Sequence, residues 1–325
     1  MFFSFFLAGC NKSFYNGLVE YSSFTEEIIL HAEKIEVPPT LLYPRGIYLS
    51  GNHLVVFNEK TDTLFQIFEL PTMKYQGQFG IKGGGPKDFI LPLAQSVSYR
   101  SDKFVLSDGD KLKQVSFDGN GIQVQATALP FGFSYYNGLQ YLGDSSFCCF
   151  TDFQDEQPLM LLRPDGEIVK FGDYPEDVSP RFKNVLARNQ AYTGFLVAKP
   201  DGSRMALFYQ FLQRWRIYDA DGVLVSDNVW TGHSLPKVAD EERCIHPIAV
   251  YATEKYVYTL NLDMTVEEIG KQVKKPSIQI FDWDGHPQRK YELDVFISSF
   301  VVDENAGEIY GVFVEDMDHI YKFKI

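Results

Sequence analysis

The chain has 325 residues, of which 45% are hydrophobic and 15% aromatic, and its formal net charge at pH 7 is −13. This is enough apolar material for a large core, and the 28 Phe and 19 Tyr residues favour strands over helices. An acidic chain with no stretch dense in Lys and Arg is a poor match for a phosphate backbone. We therefore expect no nucleic-acid partner.

The first ten residues have the pattern of a targeting segment. The apolar run Phe2–Ala8 is too short to span a bilayer, which takes roughly 20 residues, and it matches the end of a signal peptide. Leu7-Ala8-Gly9-Cys10 resembles the bacterial lipobox, which implies cleavage before Cys10 and acylation of its thiol. No Lys or Arg precedes the run, so we interpret the signal peptide as partial. The alternative is a buried N-terminal strand that contains a cysteine by chance. We predict a signal peptide at 1–9 and an anchor and linker at 10–26.

From Phe65 onward the sequence repeats a strand-like aromatic run, a tight turn and a second strand-like run. The copies place their turns at Pro71, Asp118-Gly119, Asp165-Gly166, Asp221-Gly222 and Asp284-Gly285, and a sixth copy starting at Ile320 stops where its turn is due. Such self-similarity marks a repeat architecture. We predict an all-β fold, a six-bladed β-propeller with four antiparallel strands in each blade.

The blades can be placed along the chain. The first blade is predicted to contain Gly46–Ser50, His53–Asn58, Leu64–Leu70 and Lys74–Phe79, and the next four to cover 95–128, 137–172, 192–230 and 247–293. The sixth supplies only three strands. We expect Glu27–Val37 to be its outer strand and to close the ring, which removes exposed sheet edges. The propeller domain is thus predicted at 27–325, with a turn or two of helix possible only at Ser179–Asn189 and Thr265–Lys274.

Three cysteines remain once Cys10 is set aside: Cys148, Cys149 and Cys244. An odd number in an exported protein leaves at least one thiol free or in an intermolecular bond. Cys148 and Cys149 are adjacent in a strand, so their side chains point to opposite faces. We expect both to be small, buried apolar residues.

Loop lengths single out one face of the propeller. If the strands of a blade are named A to D from the axis outward, D–A and B–C connections emerge on one face, and A–B and C–D turns on the other. The long connections are predicted at 80–94, 173–191, 231–246 and 262–275, all on the first of these faces. Binding residues concentrate on loops carried by a rigid scaffold, so we expect this loop-rich face to be the working face.

The first long connection carries a family resemblance. Lys82-Gly83-Gly84-Gly85-Pro86-Lys87-Asp88-Phe89 resembles the Gly-Lys-Gly-x-Gly-Pro-x-Glu-Phe signature of TolB-like six-bladed propeller lipoproteins of Bacteroides and relatives. Gly84 and Asp88 stand where that signature often has a polar residue and Glu. With the lipobox and the repeats, the resemblance covers essentially the whole chain. It implies export and a lipid anchor, and says little about biochemical activity.

Candidate binding residues follow from the symmetry of a closed ring, in which the D–A to A junctions all face the axis. These junctions are predicted at Arg45, Gln95, Asn137, Tyr192, His246 and Ser298. They can form a funnel for a small ligand, or they can be ordinary solvated loop ends. On the same face, Lys82, Lys87 and Asp88 lie within reach of a ligand. Phe133 and Tyr135 suit stacking on a sugar or peptide ring, unless they pack in the core.

The sequence offers little support for a metal or a catalytic nucleophile. Asp108-Gly-Asp110, Asp219-Ala-Asp221 and Asp282-Trp-Asp284 resemble fragments of calcium loops, but the Glu of an EF-hand loop is missing and turn chemistry explains the aspartates. The six His residues lack zinc-site spacing, and no Gly-x-Ser-x-Gly elbow is present. Gly83–Gly85 lacks the Lys-Ser/Thr of a phosphate loop. We expect no cofactor, with calcium a minor possibility.

Together these patterns predict a monomeric, lipid-anchored propeller of the outer membrane or the periplasmic face of the envelope. It would present one loop-rich face to a protein, peptide or glycan. The alternative is a lactonase- or lyase-like propeller enzyme with a metal at the axial mouth. That function needs convergent carboxylate, Asn or His side chains there, and the six junction residues offer His246 and Asn137 but no acidic residue, which favours binding.

Overall fold

The computed structural model describes residues 17–100, 102–119, 121–129, 138–152, 155–175, 191–232 and 243–325. Within these ranges the chain forms six β-sheets, which are the blades of a propeller.

Blade 1 contains β4 (Pro44–Ser50), β5 (His53–Asn58), β6 (Thr63–Glu69) and β7 (Lys74–Ile81). Blade 2 contains β8 (Pro92–Arg100), β9 (Lys103–Asp108), β10 (Lys111–Asp118) and β11 (Gly121–Ala128). Blade 3 contains β12 (Gln140–Gly143), β13 (Ser146–Phe150), β14 (Leu159–Leu162) and β15 (Ile168–Phe171).

The remaining blades also use strands from the N-terminus. Blade 4 contains β16 (Gly194–Ala198), β17 (Arg204–Tyr209), β18 (Arg214–Asp219) and β19 (Leu224–Trp230), with β1 (Leu18–Tyr21) on its outer edge. Blade 5 contains β20 (Cys244–Ala252), β21 (Tyr256–Thr265), β22 (Ser277–Asp282) and β23 (Pro287–Leu293), with β2 (Glu26–Leu30) outermost. Blade 6 contains β24 (Ser299–Asp303), β25 (Glu308–Phe313), β26 (Asp316–Lys324) and β3 (Glu33–Glu36). The predicted all-β six-bladed fold is confirmed.

The core lies between the blades. The second and third strands of each blade are covered on both faces, which explains apolar runs such as Leu54–Phe57 in β5, all of it buried. Leu54 and Val56 pack toward blade 6, against Val301, whereas Val55 and Phe57 pack toward blade 2, against Phe104. Alternate residues of one strand therefore serve two interfaces.

The two adjacent cysteines follow the same rule. Cys148 packs in the cluster shared with blade 4, and Cys149 packs in the cluster on the opposite side of blade 3. Both are buried, as predicted, and both are free thiols, while Cys244 is a partly exposed free thiol.

Residues 18–36 form a segment, here named the N-terminal belt, that pairs with three successive blades. The strand β1 runs parallel to β19, β2 runs parallel to β23, and β3 runs antiparallel to β26. The prediction of a single outer strand at Glu27–Val37 was therefore wrong in extent, because Glu27–Leu30 pairs with blade 5 and only Glu33–Glu36 with blade 6. Part of the predicted linker 10–26 is likewise a strand, at Leu18–Tyr21.

Aromatic side chains fix the belt to the boundary of blades 4 and 5. The ring of Tyr21 stacks on Trp215 with 5.7 Å between centroids, and Phe24 lies 4.7 Å from Trp230. The backbone N–H of Thr231 donates to the Tyr21 carbonyl at 2.7 Å. These contacts supply apolar burial in addition to the edge hydrogen bonds.

A buried ionic cluster lies in blade 4. The Asp227 carboxylate, 1% exposed, accepts hydrogen bonds from Nε of Arg214 at 2.6 Å and from Nε of Arg216 at 2.9 Å. Arg216 also donates to the Asp173 carbonyl at 2.6 Å, which ties the cluster to the connection after blade 3. Burial alone would raise the pKa of Asp227, but the hydrogen bonds from the two arginines outweigh it and hold this pKa below its ordinary value.

The described helix is α1 (Val266–Gly270), within the predicted range Thr265–Lys274. Thr265 is its N-cap and forms a capping box with Glu268. The other predicted helical segment, Ser179–Asn189, lies outside the described residues. In the described ranges, no helix combines the length and apolarity needed to cross a bilayer.

Candidate functional site: the axial channel

A cavity of about 340 Å³ lies along the propeller axis, between the inner strands. Its wall comes mainly from β4, β8, β16, β20 and β24, the innermost strands of blades 1, 2, 4, 5 and 6, and includes the start of β9. We call this cavity the axial channel. Its volume falls in the range of pockets that bind small molecules.

The axial channel is long and narrow. Arg45 and Ser298 line it near the loop-rich face, where the inner strands begin, whereas Arg100 and Lys103 line it at the opposite end of blade 2. From Ala94 to Arg100 the strand β8 rises roughly 20 Å at about 3.3 Å per residue. A cavity of this length and volume fits an extended ligand better than a compact one.

Three of the predicted junction residues, Arg45, Gln95 and Ser298, line this channel. Arg45 Nε lies 3.4 Å from Glu59 Oε2, and both side chains are about half exposed. Gln95 Nε2 donates to the Leu196 carbonyl at 3.1 Å, which joins blade 2 to blade 4. The Ser298 hydroxyl donates to the Val312 carbonyl at 3.2 Å and accepts from the Val314 amide at 3.1 Å. Arg45 is thus the most available of the three.

Aromatic side chains form much of the wall, with Tyr99 and Tyr251 near its far end. Tyr99 and Tyr251 meet edge to face with 5.1 Å between ring centroids, and Phe300 lies 6.3 Å from Tyr251. Burial raises the pKa of Tyr99, with a smaller opposing effect from a hydrogen bond with Gln95. Burial also raises the pKa of Tyr251, so both phenols stay protonated near neutral pH. They offer a ligand aromatic surface and hydroxyl groups.

Tyr192 and His246 do not line the axial channel with Arg45. Tyr192 is 4% exposed and donates from its hydroxyl to the Pro175 carbonyl at 2.9 Å. His246 is 8% exposed, and its Nδ1 lies 2.7 Å from Asp263 Oδ1. The expected convergence fails because the inner strands do not begin at these two residues. β16 begins after Tyr192, at Gly194. β20 begins before His246, at Cys244, and its pairing with β21 shifts register on both sides of Pro247.

The Gly-rich connection after blade 1 is held by its own residues. Asp88 accepts the Gly85 amide at 2.8 Å, and a Cβ atom at Gly83 or Gly85 would lie 2.6 Å from Asp88 Oδ2. Lys82 donates from Nζ to the Glu59 carbonyl at 3.0 Å, while the side chain of Lys87 is exposed. Asp88 therefore shapes the loop, and Lys87 is the residue of this motif that remains open to a partner.

Phe133, Tyr135, Asn137 and Cys10 lie outside the described residues. Sequence reasoning missed several channel residues, among them Tyr99, Arg100, Lys103, Phe195 and Tyr251. It considered only the start of each inner strand. Following β8 to its far end would have brought Tyr99 and Arg100 into view.

In two of the three calcium-like fragments the aspartates serve turns, whereas the Asp108 carboxylate accepts the amides of Ile90 and Leu91. Asp219 Oδ1 accepts the amides of Asp221 at 3.0 Å and Val223 at 2.9 Å. Asp282 Oδ1 accepts those of Asp284 and His286 in the same pattern. Among the described residues, no group of three or more His, Cys, Asp or Glu side chains is placed to hold a metal ion.

Comparison with known proteins agrees with this architecture. The model of the TolB-like 6-blade propeller-like family matches residues 22–305. The chain belongs to this family. No curated protein matches the chain.

Solved structures show the same fold at low sequence identity. A Bacteroides fragilis protein described as exported is 13% identical, with a TM-score of 0.54 and coverage of 94% of this chain and 99% of that one. Virginiamycin B lyase from Staphylococcus aureus is 9% identical, with a TM-score of 0.50 and coverage of 91% and 99%. At these identities the likeness extends to the fold alone.

Proposed function

We propose that this protein is an exported, lipid-anchored protein of the cell envelope that binds a ligand in the axial channel. The observation that carries the proposal is the channel itself, about 340 Å³ in volume and walled by Tyr99, Tyr251 and Phe195. The wall combines aromatic and aliphatic side chains with a few polar ones such as Gln95 and Ser98, and this mixture is the usual form of a small-molecule site. The ligand is a small molecule, or a narrow part of a protein, peptide or glycan.

The loop-rich face is the entrance in this proposal. The connections 82–91, 172–193, 231–243 and 266–276 all join strands on that face, whereas the longest connections on the other face are 163–167 and 199–203. Arg45 and Ser298 mark the channel end nearest these loops. A larger partner would rest on the loops, with Lys87 exposed among them, and insert a narrow group into the channel.

The enzyme alternative lacks a donor set among the described residues. A metal-assisted lactonase or lyase needs carboxylate, imidazole or amide ligands that converge on one point. The described channel wall includes Gln95 but no Asp, Glu or His. Binding is therefore the function that this wall supports best.

A channel-filling substitution tests the proposal. Ala249 lines the channel, so Ala249→Phe should obstruct it, and Ala128→Phe adds the same bulk on an exposed position of β11. The probe is the fluorescent anion 8-anilinonaphthalene-1-sulfonate, whose emission rises in apolar sites. We expect saturable binding to the parent and to Ala128→Phe, and at least about tenfold weaker binding to Ala249→Phe.

Folding of each variant is checked by its thermal melt. Ser299→Phe, at a second position on the channel wall, replaces Ala249→Phe if that variant does not fold. Equal binding of the probe by the parent and a folded channel-filled variant would show that the channel is not the site.

A further inference from the structure

Among the described residues of the channel wall, every charged side chain is a cation, although the whole chain has a net charge of −13. In the part of the wall that the structure describes, these cations are Arg45, Arg100 and Lys103. Asp102 lies between the last two in sequence, but it is not part of the wall. Cations in a cleft with apolar walls produce a positive potential that attracts anions.

The two ends of the channel differ in how their charges are paired. Arg45 has Glu59 at 3.4 Å, in an ion pair weakened by solvent. Arg100 and Lys103 form no ion pair with any described residue, and the Arg100 guanidinium lies 5.8 Å from the centroid of the Tyr141 ring. The uncompensated positive charge therefore lies at the end of the channel away from the loop-rich face.

Between these ends aromatic and aliphatic side chains line the wall together with Gln95 and the serines Ser96, Ser98 and Ser299. Phe195 and Ile248 contribute carbon surface next to the Tyr99–Tyr251 pair. The Tyr251 hydroxyl makes no hydrogen bond to the described part of the chain. A ligand that enters from the loop-rich face thus passes Arg45 first, then the aromatic part of the wall, and reaches two cations at the far end.

We propose that the axial channel selects an elongated amphiphilic anion. Its apolar or aromatic body packs against the Tyr99–Tyr251 pair, and its carboxylate or phosphate lies at Arg100 and Lys103. Arg and Lys both form strong, charge-assisted hydrogen bonds with such groups. This inference rests on the proposed function, because it assumes that the channel is a binding site.

The test uses competitors that share one body and differ in the head group. Decanoate, decyl phosphate, decanol and decylamine each compete with 8-anilinonaphthalene-1-sulfonate on the folded protein. We expect at least one of the two anions to displace the probe about tenfold more tightly than decanol, and decylamine to be the weakest competitor. The better of decanoate and decyl phosphate identifies the head group.

A charge-removing variant assigns the preference to its residues. In the double variant Arg100→Gln and Lys103→Gln, the ratio of the anion's affinity to that of decanol should fall by about tenfold. The affinity for decanol itself should not change. Lys324→Gln removes a charge from an exposed position at the C-terminal end of β26 and should keep the parent's preference. If the double variant does not fold, Lys103→Gln alone is measured and should reduce the preference in the same direction.

The outcomes separate this inference from the function it rests on. The anion assignment would be overturned if decanol and both anions displaced the probe equally. It would also be overturned if the charge-removing variant kept the parent's preference. Either result would leave channel binding intact. Probe binding that survives Ala249→Phe would instead overturn the channel as the site.

Discussion

Single side chains join the inner strands of neighbouring blades. Gln140, which is fully buried, donates from Nε2 to the Ser96 carbonyl at 3.2 Å and accepts the Ala198 amide at 3.3 Å. One amide group therefore holds blades 2, 3 and 4 together beside the channel. The side chain stabilises the fold because it pairs backbone groups that would otherwise be buried without a hydrogen-bond partner.

Replacing Gln140 tests this bridge. Gln140→Leu keeps the side-chain size but leaves a buried amide and a buried carbonyl unpaired, so the free energy of unfolding should fall by about 2–4 kcal/mol. Gln78→Leu, at an exposed position of β7, should change it by less than about 0.5 kcal/mol. Urea denaturation measures both. A Gln140 variant as stable as its control would show that the bridge contributes nothing.

Asp227 should make stability depend on pH. Its pKa is lowered in the folded protein, so the folded carboxyl keeps its charge at a pH where the unfolded one is already protonated. Its contribution to the free energy of unfolding is therefore fully present above the unfolded pKa of about 3.9, and is lost as the pH falls toward the folded pKa.

The variant Asp227→Asn removes the charge at every pH and leaves Arg214 and Arg216 without their buried carboxylate. At pH 7 its free energy of unfolding should be about 3–5 kcal/mol lower than that of the parent. We expect this difference to shrink below about pH 4. Asp62→Asn, at an exposed loop position, serves as the control in thermal melts across this pH range. A deficit that stays constant as the carboxylate is titrated would contradict the linkage.

At the scale of elements, the N-terminal belt is the least expected feature. β1 and β2 add parallel edges to blades 4 and 5, while β3 supplies the fourth strand of blade 6. The three strands should therefore differ in importance, because blades 4 and 5 have four strands without the belt, whereas blade 6 has only three without β3.

Two truncations separate these roles. A chain that starts at Ala32 loses β1 and β2 but keeps β3, and it should still unfold cooperatively at a lower Tm. A chain that starts at Pro38 loses β3 as well, and it should lose cooperative unfolding and aggregate through the exposed edge. Calorimetry against a chain that starts at Gly17 provides the comparison. If the Pro38 chain melts like the Gly17 chain, β3 does not close the ring.

Some features of the fold depend only on residues that are neighbours in sequence. The C–D turns at Asp221-Gly222 and Asp284-Gly285 were predictable because an Asp side chain and a Gly define such turns within a few residues. The belt was not predictable, because alternation within Glu27–Val37 does not say which of several sheet edges it joins. The placement of His246 failed because register shifts around Pro247 change where its side chain lies.

At the scale of the whole molecule, the proposed anchor determines how the propeller meets the membrane. Leu18 pairs with Asp227 at the outer edge of blade 4, and the chain from Cys10 to Leu18 spans at most roughly 28 Å when fully extended. Acylation of Cys10 would therefore hold the edge of blade 4 close to the bilayer.

The anchor is tested by Cys10→Ser in the full-length chain. We expect this variant to move from the membrane to the soluble fraction, with a thermal melt like that of the parent, because the lipid is the predicted membrane attachment. Cys244→Ser keeps the predicted lipidation site and should stay with the membrane. Retention of Cys10→Ser on membranes would mean that another segment attaches the protein.

The central claim is that a ligand occupies the axial channel, and a crystal grown with 10-bromodecanoate tests it most directly. Anomalous diffraction locates the bromine atom without reference to any assumed pose. We expect a bromine peak inside the channel, on the loop-rich side of Tyr99 and Tyr251, with the carboxylate at Arg100 and Lys103. A peak on the outer surface of the propeller, with the channel free of ligand density, would contradict it.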